Sequence, residues 1–229
     1  MRSAPELATA IHPLLAGRFS PSMFDPSGTV DDETLGLLLE AARWAPSAGN
    51  SQPWGFFPAR PGEPGHARLL PHLAPSSARW AADAGLLLVT LTRRWVEEPG
   101  IVYSEFADYD LGQAVAHLSV QAQSLGLAAH QFRAFDHDGL TAELRPSPGW
   151  EIVTMIAVGR AAEDPSPSRA RRTVADLCSA PGTSPPAPDI PAGRAPVLRA
   201  CDRPGAPRLS GGPPPAGARW RRSSPGRVR

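Results

Sequence analysis

The stretch Leu35-Gly36-Leu37-Leu38-Leu39-Glu40-Ala41-Ala42-Arg43-Trp44-Ala45-Pro46-Ser47-Ala48-Gly49-Asn50-Ser51-Gln52-Pro53-Trp54-Gly55-Phe56-Phe57 decides how the chain folds. Leu35, Leu38, Leu39 and Ala42 recur at helical spacing, which predicts an amphipathic helix over about residues 31–45. Pro46 ends it, because proline disfavours helical geometry in the residue before it. Thr29 followed by Asp32 fits a Thr-x-x-Asp cap, and Asp31 to Glu33 suit the positive end of the helix dipole. A polar turn follows, in which Ser47, Asn50 and Gln52 offer hydroxyl and amide groups. Ala48 and Gly49 are small enough for a flat ligand to approach the backbone. Trp54, Phe56 and Phe57 then open a strand over Trp54–Ala59. Spacing alone describes a helix–turn–strand junction with a polar turn and requires no ligand.

The order Ala42-Arg43-Trp44-Ala45-Pro46-Ser47-Ala48-Gly49-Asn50-Ser51-Gln52-Pro53-Trp54 resembles the first signature of the nitroreductase family, the FMN-dependent NAD(P)H oxidoreductases. The resemblance extends over roughly residues 7–175. It implies an α+β fold: a central, mostly antiparallel sheet flanked by helices, of the obligate-dimer type. It also implies a homodimer with one FMN at each of two interface sites and NAD(P)H as co-substrate. The turn carrying Pro46, Ser47, Asn50 and Gln52 would then reach a flavin held mainly by the neighbouring subunit.

Three further segments carry the resemblance. In Gly17-Arg18-Phe19-Ser20-Pro21-Ser22, the family places an Arg, a Ser two residues on and usually a second basic residue, against the FMN phosphate and the flavin edge. Arg18 and Ser20 match; Ser22 stands at the second basic position and departs from it. An arginine fork and a hydroxyl suit phosphate oxygens, although a lone Arg is most often a solvated surface group. Leu127 to Asp136 resembles the second signature, a short strand whose loop passes the flavin ring, and Gln131 and Arg133 are its candidate hydrogen-bonding residues. Ser168 to Val174 matches a basic-x-basic pair that returns to the phosphate, with Arg169 and Arg171 as the best fit and Arg172 as the alternate.

Between these segments the pattern predicts a short helix at residues 6–16, weakened by Pro13, and another at His66–Leu73. The apolar run from Leu86 predicts a buried strand. Leu111, Val115, Leu118, Ala122 and Leu125 mark a long helix from Asp108 to Gly126, which resembles the family's central helix in the dimer core. A short helix at Asp138–Leu144 and a core strand at Glu151–Arg160 close the pattern. Packing is the expected role for Arg79, Trp80 and Asp83, and for the aromatics Trp95, Tyr103 and Phe106 beyond the buried strand, with stacking on a planar substrate as the alternative for the three aromatics. His117 reads as a helix-face histidine.

Charge is unevenly spread. Residues 1–179 hold 14 Arg against 20 acidic residues, and residues 180–229 hold 9 Arg against 2. The chain has no Lys, so every permanent cation is an Arg, able to fork onto phosphate. Cys178 and Cys201 do not make a disulfide framework, and no Cys/His cluster suits zinc. No Gly-x-Gly-x-x-Gly motif or Ser/His/Asp set with nucleophile spacing appears. The first residues lack the apolar core of a secretory signal, and Ala84–Leu91 is too short to cross a bilayer, so a cytoplasmic protein is expected.

Composition divides the chain in two: residues 1–179, which the resemblance implies form a nitroreductase-like flavin-binding domain, and a Pro/Gly/Arg-rich disordered tail over 180–229. The tail holds 12 Pro and 7 Gly and lacks apolar periodicity, so it cannot bury enough surface to offset its ordering entropy. An out-of-frame GC-rich reading would give the same mixture. As a nucleic-acid arm it is a poor fit, since Trp220 is its one stacking residue. The expected activity is electron transfer from NAD(P)H through FMN to a small planar acceptor such as a nitroaromatic or quinone, with no catalytic side chain because the flavin carries the chemistry. The alternatives are a flavin-dependent oxidase of a specialised metabolite and a degenerate ligand-binding member of the fold.

Overall fold

A computed structural model describes residues 11–96, 102–165, 171 and 173–178. The chain divides into units at Met1–Ala175 and Asp176–Arg229, and the fold below is that of the first. The expected tail, Arg169 and Arg172 lie outside the described residues.

Four strands form one sheet: β1 (Trp54–Ala59), β2 (Leu86–Arg93), β3 (Ala128–Phe132) and β4 (Trp150–Gly159). Their order is β1-β2-β4-β3, and every neighbouring pair is antiparallel. Helices cover both faces. On one side lie α1 (Pro13–Gly17), α2 (Asp32–Arg43) and α5 (Ala107–Ser124); α3 (Pro64–Leu69), α4 (Pro75–Ala81) and α6 (His137–Leu144) complete the set.

Two-sided burial explains why β2 opens as an unbroken apolar run rather than an alternation. Leu86 and Leu88 pack with Ile156 and Val158 of β4 against Leu38 and Ala42 of α2 and Leu111, Ala114 and Leu118 of α5. Leu87 and Val89 point the other way, with Met155, Ala157 and Phe132, into a second core containing Leu69, Ala81 and Leu140. A bulge opposite Thr90/Leu91 shifts the β2–β4 register. There the Thr90 and Thr154 hydroxyls lie 2.8 Å apart and satisfy each other inside the sheet.

Local signals account for most boundaries. The cap of α2 is Asp31, whose carboxylate accepts the Thr34 N–H at 2.8 Å, and not the expected Thr29–Asp32 pair. Asp31 wins because its side chain reaches the free N–H at N3, where Thr29 lies too far upstream. The described part of the first helix begins at Pro13, which sits at its first position and so starts it rather than kinking it. The helix expected at His66–Leu73 starts earlier, at Pro64, and tightens to a 3-10 turn at Leu70–His72. Gly85 is required by packing: a Cβ there would meet the Gly28 carbonyl oxygen at 2.5 Å. No helix among the described residues is long and apolar enough to cross a membrane.

Candidate active site

Helix α5 organises the site. Its inner face is spent on the core, and its outer face carries Gly112, Ala116 and Val120 beside the half-exposed edge of β3. There a cleft of about 400 Å³ opens, lined by Leu15, Arg18, Ser20, Gly112, Val115, Ala116, Ser119, Val120 and Gln131. That volume lies within the usual range for small-molecule sites. Three residues picked from separate sequence segments, Arg18, Ser20 and Gln131, meet in this one cavity.

Arg18 and Ser20 come from the arm that follows α1. The Arg18 guanidinium donates to the Ser20 hydroxyl at 3.3 Å, so cation and hydroxyl act as one polar edge. Gln131 stands on β3 with its Nε2 donating to Ser119 Oγ at 2.6 Å, and Ser119 in turn donates to the Val115 carbonyl at 2.7 Å. This chain fixes the amide and leaves its carbonyl end as the part able to accept from a ligand. The cleft thus joins a cationic polar edge, one oriented amide and a smooth wall of small and apolar side chains.

The turn of Pro46, Ser47, Asn50 and Gln52 is folded elsewhere on the same helix. Gly49, Asn50 and Gln52 all have positive φ, 58°, 55° and 46°, with Ser51 in helical geometry between the last two. Such backbone is costly outside glycine and persists only where neighbours over-determine it. Here they do. Ser47 Oγ accepts the Gln52 N–H at 3.0 Å, the Asp110 carboxylate accepts the Ala48 N–H at 3.0 Å, and Gln113 Nε2 donates to the Pro46 carbonyl at 3.4 Å. Tyr103 props the far end by donating its hydroxyl to the Ser51 carbonyl at 2.8 Å, with Arg93 stacked on its ring at 4.4 Å. Ser47 accepts in this network, so its own O–H remains a donor, as do the amide hydrogens of Asn50, whereas Gln52 Nε2 donates to Asn50 Oδ1 at 3.2 Å and to the Asn50 carbonyl at 3.4 Å.

Other expected residues are not brought into the cleft. Ser22 presents its backbone N–H to the Glu163 carboxylate instead of a side chain to a ligand. Arg133 is exposed and lies over the Phe135 ring at 4.6 Å, beyond the end of β3. Arg171 is exposed and is not among the lining residues, and Arg169 lies outside the described residues. Of the expected packing residues, Trp80 packs as foreseen, whereas Arg79 and Asp83 are exposed. His117 is exposed on α5.

Two residues that matter to this geometry carried no sequence signal for it. Asp110, 2% exposed, reads in sequence only as an acidic residue near a helix start, yet it anchors the turn. His130 looks like an ordinary strand residue, yet its ring stacks on Trp80 with centroids 4.3 Å apart and an interplanar angle of 16°, and its Nδ1 contacts the Pro21 carbonyl at 2.6 Å. Burial holds its pKa below the usual histidine value, with Glu163 pulling it up and Arg18 pushing it down.

Known proteins resemble this chain in sequence and fold. The nitroreductase family profile matches residues 15–160. A protein of Streptomyces coelicolor named as an NADH dehydrogenase/NAD(P)H nitroreductase is 30% identical over 161 residues, covering 62% of this chain and 79% of its own. Among solved structures, an oxidoreductase containing FMN superposes with a TM-score of 0.62 at 30% identity, covering 67% of this chain and 78% of its own. A nitroreductase from Desulfovibrio desulfuricans in complex with FMN gives 0.61 at 27% identity, covering 73% and 96%. The family profile spans the arm, the turn, α5, β3 and β4, the elements that build the cleft and its surroundings, so the chain belongs to the nitroreductase family.

Proposed function

We propose that the protein is an FMN-dependent oxidoreductase that passes electrons from NAD(P)H to a small planar acceptor, a nitroaromatic, a quinone or a similar compound. The observation that carries this reading is the convergence of Arg18, Ser20 and Gln131 on one cleft along α5. The donor set suits the cofactor: a guanidinium beside a hydroxyl for a phosphate, an oriented amide for a polar ring edge, and a flat wall from Gly112 to Val120 for an aromatic face. When bound, the flavin supplies hydride acceptance and release.

The chain's own task is to hold and orient. Arg18 and Ser20 bind the phosphate. Gln131, locked by Ser119, fixes one ring orientation. Gly112 and Ala116 leave room for a plane to lie against the helix. Ser47 and Asn50 offer donors from a turn that Gln52, donating to Asn50, helps to shape before any ligand arrives, so little entropy is lost on binding.

The assembly proposed is a cytoplasmic homodimer. Leu37 and Trp44 project from α2, and Tyr109 projects from α5, with exposures of 42%, 71% and 69%. These large apolar side chains stay exposed on two helices that pack against each other, and exposed apolar groups of this kind support an interface between copies. The deciding experiment is an absorbance spectrum of the purified protein before and after NADPH or NADH under nitrogen. A flavin spectrum that bleaches and recovers with a quinone or nitroaromatic is the expected result. A yellow protein that ignores both nicotinamides, or one that takes up no FMN, refutes the proposal.

A further inference from the structure

The peptide group joining Pro21 to Ser22 is held at both ends. Its oxygen faces His130 Nδ1 at 2.6 Å, and its N–H donates to the Glu163 carboxylate. A carbonyl can only accept, so Nδ1 carries the proton and the imidazole is the donor. The carboxylate draws on the same amide from the opposite side, and hydrogen bonds polarised in series strengthen one another. Pro21 is buried, so this peptide cannot swing into water without exposing a ring.

Both grips are themselves backed. The His130 ring lies against Trp80, which contacts Phe24 at 6.2 Å and Phe132 at 5.0 Å between centroids. Glu163 follows β4, and that segment is stitched to the arm by the Ala162 N–H on the Met23 carbonyl at 3.0 Å and the Asp25 N–H on the Arg160 carbonyl at 2.9 Å. One residue before the clamped peptide stands Ser20, and two before that Arg18. The arm leaves α1 at Gly17 as exposed or half-exposed chain until it reaches this point.

We propose that the His130–Glu163 grip on the Pro21–Ser22 peptide sets the direction of the Arg18–Ser20 arm, making His130 a positioning residue for the phosphate end of the flavin. The inference rests on the reading of Arg18 and Ser20 as phosphate ligands. It adds that the arm's selectivity for a phosphorylated flavin depends on an imidazole outside the cleft. His130 touches the arm's backbone and lies on the opposite face of β3 from Gln131, whose side chain turns to α5.

The test compares binding of FMN with binding of riboflavin, which lacks the phosphate, by flavin fluorescence titration of the full chain. His130→Phe keeps a ring for Trp80 and loses the donor. It is expected to weaken FMN binding about tenfold, the scale of one well-made hydrogen bond, and riboflavin binding less than about twofold. His130→Asn, whose amide nitrogen stands near the Nδ1 position, is expected to restore most of the FMN preference. Arg18→Ala should abolish that preference. If Arg18→Ala loses it and His130→Phe keeps it, the positioning role is wrong while the phosphate reading stands. If both variants keep it, the phosphate reading fails and takes the inference with it. Equal weakening of both flavins by His130→Phe also overturns the inference, because it signals general damage. Should the Phe variant not fold, His130→Gln, whose amide sits nearer the Nε2 position, is titrated instead and is expected to lose the preference in the same way.

Discussion

Replacing Asp110 tests whether the turn is held from α5. Its carboxylate is buried and accepts the Ala48 N–H at 3.0 Å, while its other oxygen lies 3.4 Å from Gln113 Nε2, the group that also reaches the Pro46 carbonyl. It also lies in the first turn of α5, whose cap residue Phe106 supplies no side-chain cap. Asp110→Ala removes a hydrogen bond to a charged acceptor, about 1.5–3 kcal/mol, and a favourable charge near the dipole's positive end, about 0.3–1 kcal/mol. Ala48 is exposed, so water can take up its freed N–H and the lower part of the range applies, about 2 kcal/mol. For a domain of this size that lowers Tm by about 4–8 °C. Asp110→Asn keeps an acceptor and loses the charge, so about half that fall is expected. The assay is thermal unfolding followed by circular dichroism on the full chain. A Tm within about 2 °C of the parent for Asp110→Ala, or equal losses for Asn and Ala, would refute the anchoring role.

Two other expectations are quick to check. Burial depresses the pKa of both His130 and His66 below 6.5, so the unfolded chain binds more protons than the folded one just below that value. Their contribution to stability is therefore complete above pH 6.5 and is lost as the pH falls from there through the depressed values; unfolding scans between pH 7.5 and 5 should show Tm falling, and His130→Phe should flatten the slope. Tyr109→Arg places a charge on the exposed apolar surface of α5 and should convert a dimer to a monomer in light scattering without lowering Tm of the monomer fold, whereas an unchanged mass removes that surface from the interface.

The sheet and its helices were legible because they rest on periodicity. Leu111, Val115, Leu118 and Ala122 mark one helix face, and the observed α5 ends within two residues of the expected ones. The strand at Trp54–Ala59 matches residue for residue, since Pro53 before it and the Pro/Gly loop after it leave little choice. The site was legible only in part. Arg18, Ser20 and Gln131 could be named from motif, but their meeting depends on a register between β3 and β4 and on the path of the arm, neither of which local pattern encodes. Arg133 does not line the cleft: the loop after Phe132 turns its guanidinium onto the Phe135 ring, a placement that depends on the loop's path and not on local pattern. Asp110 and His130 act through backbone groups far away in sequence, at separations of 62 and 109 residues, and such contacts leave no spacing to read.

The division of the site along α5 has a consequence for assembly. The turn is anchored at Asp110, and the helix residues that line the cleft run from Gly112 to Val120 with Ala116 at their middle, six residues on, which is about 9 Å along a helix axis. None of Pro46, Ser47, Asn50 and Gln52 lines the cleft of its own chain. If arm and turn serve one ligand across an interface, the turn comes from a second copy. A twofold dimer then builds two equivalent sites, each with the arm of one protomer and the turn of the other. Mixing two damaged chains separates the cases. Arg18→Ala removes the cation of the arm, and Asn50→Gly removes the turn's amide while tolerating a φ of 55°. Each variant alone should bind FMN poorly. Refolded together in equal amounts, half the dimers are hybrids, and each hybrid regains one intact site if arm and turn act across the interface. About a quarter of all sites should then bind FMN with parental affinity. A mixture that binds no better than its two components shows that arm and turn serve the same chain, and shared-site architecture is then wrong for this protein.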